Sequence, residues 1–175
     1  EMAVRTSPDV APRAMTERAA EEAAAAGTNV AIVRLSPSVH GAGDHGFVPM
    51  LIDRARRNGR MAYIGAGANV WPGVHRLDAA DLYRRAIEKG LPGRYHASDE
   101  TGVPMREIAT IIGRRLGLPV ESVSGEAATA YFGWFSHFAA IDNPTSSTAT
   151  RAALGWQPRH AGLLEELDSA VYFSA

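Results

Sequence analysis

The sequence contains no cysteine, and Lys89 is its only lysine. The first absence removes disulfide scaffolds, thiolate metal sites and thiol nucleophiles. The second leaves Lys89 as the sole candidate for any lysine-dependent chemistry. No apolar run approaches the ~18 residues of a membrane span, and no basic-led apolar segment opens the chain as a signal peptide would. The expected location is therefore the cytoplasm, with no membrane partner. An excess of one charge is missing too. The 18 basic residues face 19 acidic ones, a formal net charge of −1, which argues against a protein devoted to the nucleic-acid backbone. What remains is 175 residues, 46% hydrophobic and 21% charged. That is an ordinary globular composition, enough for one domain or one and a small annex.

Periodicity predicts an α/β organisation. Residues 1–12 are polar, carry Pro8 and Pro12, and read as a tail or loop. Residues 13–26 are alanine-rich and stop at Gly27, as a helix does. Val30 to Leu35 is then an almost continuous apolar run, the pattern of a strand buried on both faces. After a loop from Ser36 to Gly46, Phe47, Met50, Leu51 and Ala55 recur at helical spacing. Met61 to Ile64 reads as a second strand and Trp71 to Leu77 as a third. Asp78 and Asp81 suggest a capping box for a helix closing at Lys89-Gly90. Tyr95 to Ala97 is a further strand, and Pro104 to Leu116 an amphipathic helix. Residues 124–140 predict one aromatic helix, with Tyr131, Trp134, Phe135 and Phe138 on one face. Short helices are expected up to Leu154 and from Gly162 to Tyr172. The division that follows is 1–12 tail, 13–100 sheet-forming portion with interleaved cap segments, and 101–175 mostly helical cap.

Few segments carry chemistry by themselves. Gly41-Ala42-Gly43-Asp44-His45-Gly46 matches G-x-G-x-x-G. However, Leu35 ends the strand too early for the tight turn, and Asp44 would oppose a pyrophosphate. No acidic residue follows Met61 to Ile64 to hold a ribose, so a flexible glycine loop is expected. His40, Asp44 and His45 have ligand chemistry without regular ligand spacing, and no metal is expected. There is no G-x-S-x-G nucleophile elbow. The 131–138 face reads as core, whereas Trp71, Pro72, His75 and Arg76 suit either a cleft or a strand edge.

Several segments, in order, bear a family likeness. Val30 to Gly41 resembles the sixth strand and following loop of the extended short-chain dehydrogenase/reductases, the epimerase/dehydratase-type proteins. Gly65-Ala66-Gly67-Ala68-Asn69 is similar to their glycine turn, and Val74-His75-Arg76-Leu77-Asp78-Ala79-Ala80 to their V-H-V-x-D-V-A segment. Val103-Pro104-Met105-Arg106-Glu107-Ile108 resembles a helix start in their substrate domain. Ala153-Leu154-Gly155-Trp156-Gln157-Pro158 is similar to their LGW-x-P corner. Together these segments span residues 13 to 172.

The resemblance implies part of a Rossmann-like parallel sheet with a mostly helical, C-terminal substrate-binding cap. It implies NAD or NADP as cofactor in a parent protein, and a small carbonyl or hydroxyl compound as substrate. It also implies cofactor contacts at Pro37, Ser38, Val39 and His40, and a substrate pocket near Asn69, Trp71, His75 and Trp134. The family's catalytic Tyr-x-x-x-Lys is absent: Arg13 stands where the tyrosine would be and Glu17 where the lysine would be. A lysine beside that tyrosine lowers its pKa and makes it a usable acid/base; a carboxylate would do the opposite. Two readings stay open, the C-terminal half of an atypical NAD(P)-dependent oxidoreductase and a non-enzymatic NAD(P)-binding regulatory protein. In either, a preceding half or another chain is expected to complete the sheet, since an unpaired apolar strand edge associates.

Overall fold

The computed structural model describes residues 12–173, so the expected tail lies almost wholly outside the described residues. Helix α1 (Pro12–Ala25) leads into strand β1 (Ala31–Leu35), which pairs in parallel with β5 (Gly93–Ala97). Between them run β2 (Ser38–His40), α2 (Phe47–Asn58), β3 (Met61–Ile64), β4 (Val70–His75) and α3 (Arg76–Lys89). Then follow β6 (Glu100–Pro104), α4 (Met105–Leu116), β7 (Val120–Val123) and α5 (Gly125–Phe132). The chain closes with α6 (Ser136–Ala140), α7 (Thr148–Leu154) and α8 (Leu163–Asp168). Strand β2 pairs in parallel with β4, β4 antiparallel with β6, and β3 in parallel with β7. This is an α/β fold built on parallel pairs, with helices dominating the later half. Among the described residues no helix is long and apolar enough to cross a membrane.

The β1–β5 pair shows how the sequence sets its two faces. Register places Arg34 beside His96 and Val33 beside Tyr95, so alternate residues face opposite sides. Arg34 and Arg94 meet Glu17 of α1 on one side. Val33 on the other side packs against a core of Leu82, Ala86, Tyr95, Ala97, Leu154 and Trp156. The expectation of a strand buried on both faces is corrected here, because Ala31 and Leu35 are exposed. The reason is topological: no described strand pairs with the second edge of β1. A groove lined by Ala31, Val33, Tyr83 and Ile87 lies between β1 and α3, and Ile87 is 78% exposed.

Three further expectations change. The aromatic helix is broken at Gly133, whose φ of +57° favours glycine. A single 3-10 turn (Gly133–Phe135) then separates α5 from α6. The break rotates the face, so Tyr131 and Phe135 are buried whereas Trp134 is 68% exposed. The proposed Asp78–Asp81 capping box does not form. His75 caps α3 instead, its Nδ1 accepting from the Leu77 amide at 3.2 Å. The final helix is also shorter than the spacing predicts. Ser169 donates to the Glu166 carbonyl and accepts from the Val171 amide, a local pairing that competes with helix continuation.

Candidate functional site

At the carboxyl end of β1 the chain leaves the sheet through Ser36 and Pro37 and enters β2. A cleft of about 810 Å³ opens there. Leu35, Ser36, Pro37 and Val39 form one wall, and Trp71, Phe47, Trp134 and Phe138 another. Asp44, His45 and Gly46 close one side, with Ile141 and Asn143 completing the lining. The aromatic wall is a connected cluster. Phe47 lies 5.4 Å from Trp71 and 6.0 Å from Phe138 between ring centroids, and Trp134 meets Phe138 edge-on at 6.1 Å. Such tilted and edge contacts suit the aromatic quadrupole and hold the wall rigid.

The expected site residues divide cleanly. Pro37, Val39, Trp71 and Trp134 line the cleft. Ser38 and His40, two residues apart on β2, face the opposite side and are buried. Asn69 acts as a strut, donating to the carbonyls of Ala139 and Ile141 at 3.0 and 3.1 Å. His75 caps α3 and stacks on His160 at 4.6 Å. The polar candidates thus point away from the cleft or, for Asn69 and His75, serve the fold, and the apolar ones face the opening. Leu35, Phe47, Phe138, Ile141 and Asn143 join the lining without having been proposed as site residues; Phe47 and Phe138 had a sequence signal only through helical periodicity.

The glycine loop is not a phosphate cradle. The Gly41 amide donates to the Tyr172 hydroxyl at 3.0 Å, and the Gly46 amide to Asp44 Oδ1. Asp44 Oδ2 accepts from that same Tyr172 hydroxyl at 2.8 Å. Gly41 has a φ of +122°, and a Cβ there would stand 2.8 Å from His75 Nε2, so the loop needs glycine to lie against β4. Burial first, then Asp44, pushes the Tyr172 phenol far above its ordinary range. With its oxygen both donating and accepting, Tyr172 fastens the loop and is a poor acid or base.

Behind β2 lies a histidine cluster. His40 is 1% exposed, and among the described residues neither its ring nitrogens nor the Ser38 hydroxyl has a hydrogen-bond partner. Burial, reinforced by His75, pulls the His40 pKa down to about 4. Burial also lowers that of His75, with His160 next in effect. His75, Asp78 and His160 bring donor atoms within 4.8 Å of one another. Several of these donor atoms already serve the fold. His75 Nδ1 takes the Leu77 amide, and Asp78 accepts from the amides of Arg159 and His160 and faces His160 Nδ1 at 2.8 Å. These bonds tie the three side chains to the start of α3 and to the 159–160 segment.

The lysine position of the resembled family also has a definite role. Glu17 lies 2.5 Å from Arg34 and 3.1 Å from Arg94, and Arg94 also pairs with Glu21. Burial opposes the Glu17 charge, but the two arginines outweigh it and hold its carboxyl below the usual value. Glu17 therefore clamps α1 to both strands of the β1–β5 pair. The side chain of Arg13 lies outside the described residues.

No family model matches the chain. A protein of Schizosaccharomyces pombe, "Uncharacterized protein C2A9.02", is 52% identical over 163 residues, which is 93% of this chain and 55% of the relative. "Uncharacterized protein YLL056C" of Saccharomyces cerevisiae is 46% identical over 156 residues, 89% of this chain and 52% of the relative. The chain thus spans about half the length of the curated relatives it matches. Among solved structures, the UDP-glucose 4-epimerase of Thermus thermophilus in complex with NAD superposes with a TM-score of 0.70. That match is 19% identical and covers 100% of this chain and 58% of the epimerase. The chain shares the fold of part of that epimerase. At this identity the likeness concerns architecture: the Rossmann-like α/β arrangement is common to both, and the aromatic wall is read from this chain's own residues.

Proposed function

We propose that this chain is the substrate-side portion of an NAD(P)-dependent oxidoreductase of the epimerase/dehydratase type, acting on a small carbonyl or hydroxyl compound. The observation that carries the reading is the position of the cleft. It opens at the carboxyl end of β1, where open α/β sheets receive their ligands. Leu35, Pro37 and Val39 offer a flat apolar wall that fits a nicotinamide ring. Neither glycine-rich segment fits the cofactor's phosphates, since Gly41, Gly46, Gly65 and Gly67 all spend their amides internally. When bound, the cofactor would supply hydride transfer; these residues orient the ring and exclude water from it. The open edge of β1 supports completion of the sheet by a further half or by another polypeptide.

A second reading has its own support. Glu17 stands at the lysine position and is locked to Arg34 and Arg94. No Tyr-x-x-x-Lys pair is present to move a proton, which favours a protein that binds NAD(P) for regulation. Both readings are tested with a hybrid that joins this chain to the portion of the fission-yeast relative it leaves unmatched. The chain by itself should consume no reduced nicotinamide with any carbonyl compound. The hybrid should consume it, and loss of the missing acid/base alone would cost on the order of 10²–10⁴ in rate. Binding without consumption would select the regulatory reading, and a folded hybrid that fails to bind would contradict both.

A further inference from the structure

We infer that the cleft selects a flat, uncharged, predominantly apolar carbonyl compound and rejects phosphorylated substrates. This inference rests on the reading of the cleft as a substrate pocket and names what enters it. The observation is one of chemistry. Phe47, Trp71, Trp134 and Phe138 supply a continuous aromatic wall, and among the described residues no arginine or lysine lines the cleft. The shortage is local, because the chain carries 18 basic residues.

Charge complementarity points the same way. The one carboxylate in the lining, Asp44, is held in place by the Gly46 amide and the Tyr172 hydroxyl. It cannot swing away to admit an anion. A diphosphate placed here would meet a fixed like charge with His45 as the one basic side chain of the described lining, and like-charge juxtaposition strongly disfavours a partner. A free sugar fares little better, since its many hydroxyls would face aromatic carbon. An apolar planar body can instead stack on Trp134 and Phe138, which the break at Gly133 turns toward the opening. Asn143 and His45 then remain as polar handles for one oxygen. Few polar groups in an apolar cleft is the usual way a pocket fixes the orientation of a small neutral ligand.

The test needs no cofactor. Tryptophan fluorescence of the purified chain is titrated with 2-acetonaphthone, a flat neutral ketone, with 2-naphthyl phosphate, which presents a similar ring bearing a phosphate, and with UDP-glucose. The neutral ketone should bind saturably, the phosphate at least about tenfold more weakly, and the nucleotide sugar not at all. Trp134→Ala and Phe138→Ala, both at exposed positions, should each weaken the ketone by about three- to tenfold, with far-UV circular dichroism unchanged. Trp71 remains in the wall as the reporter in both variants. Equal binding of the phosphate, binding of UDP-glucose, absence of ketone binding, or ketone affinity untouched in both variants would each overturn the inference. Since no nicotinamide is present, ketone binding without turnover by the hybrid defeats the oxidoreductase reading alone. Turnover by a hybrid whose cleft prefers the phosphate defeats the substrate class alone.

Discussion

Replacing Asp78 by alanine should cost about 3–5 kcal/mol of stability, a large effect for a single side chain. Asp78 sits in the first turn of α3 and is almost fully buried. Its carboxylate accepts from the Arg159 amide at 3.0 Å and the His160 amide at 3.1 Å, and meets His160 Nδ1 at 2.8 Å. Its own carbonyl accepts from the indole of Trp156 at 2.9 Å. The residue thus docks the whole 156–160 corner onto α3. Alanine would leave two backbone amides without acceptors, and each unmade bond costs more than the formed bond contributes. Asp78→Asn keeps the shape but turns one oxygen into a donor, so it should fall between the two. Urea unfolding of the three proteins checks this; an alanine variant within about 0.5 kcal/mol of the parent would mean that the corner is held by Trp156 packing alone.

Glu17→Gln should destabilise the chain by about 2 kcal/mol at neutral pH, because it strips the charge from a carboxylate paired with two arginines. The sign of the pH dependence follows from the lowered pKa. In the folded chain Glu17 holds its charge below its ordinary 4.5. The stabilisation is complete above that value and is lost as the pH falls through the folded one. The gap between parent and variant should therefore close on the acid side. His40 and His75, with lowered pKa values, also weaken the fold as the pH drops below 6.5. That loss is common to both proteins and cancels in the difference. Denaturant midpoints at neutral pH and below pH 4.5 measure it, and a gap that widens toward acid would refute the clamp.

The helices were legible because each carries a strong local signal. α2, α3, α4 and α7 all stop one residue short of a glycine and show apolar residues at helical spacing. Two short strands, β2 and β7, were not, although the equally short β3 was read with its exact bounds. β2 is three residues long, and β7 reads Val-Glu-Ser-Val with two exposed polar residues at its centre. Each exists because a distant strand pairs with it, which no local window shows. That omission decided how much of the site could be read. Had Ser38–His40 been recognised as a strand, alternation would have sent Val39 to one face and Ser38 and His40 to the other. Trp71 and Trp134 were found by residue type, although Trp134 reaches the cleft only because Gly133 breaks the helix. Asn69 and His75 were drawn in as polar groups, but their hydrogen bonds serve the fold.

The most direct measurement of the central claim is where a nicotinamide ring lies. In the hybrid, with valine methyl groups labelled, the ring protons of bound cofactor should show nuclear Overhauser contacts to the methyls of Val39. None should reach Val33, which faces the groove beside α3. Contacts to Val33, or bound cofactor with no contact to Val39, would place the ring elsewhere and contradict the assignment of the cleft.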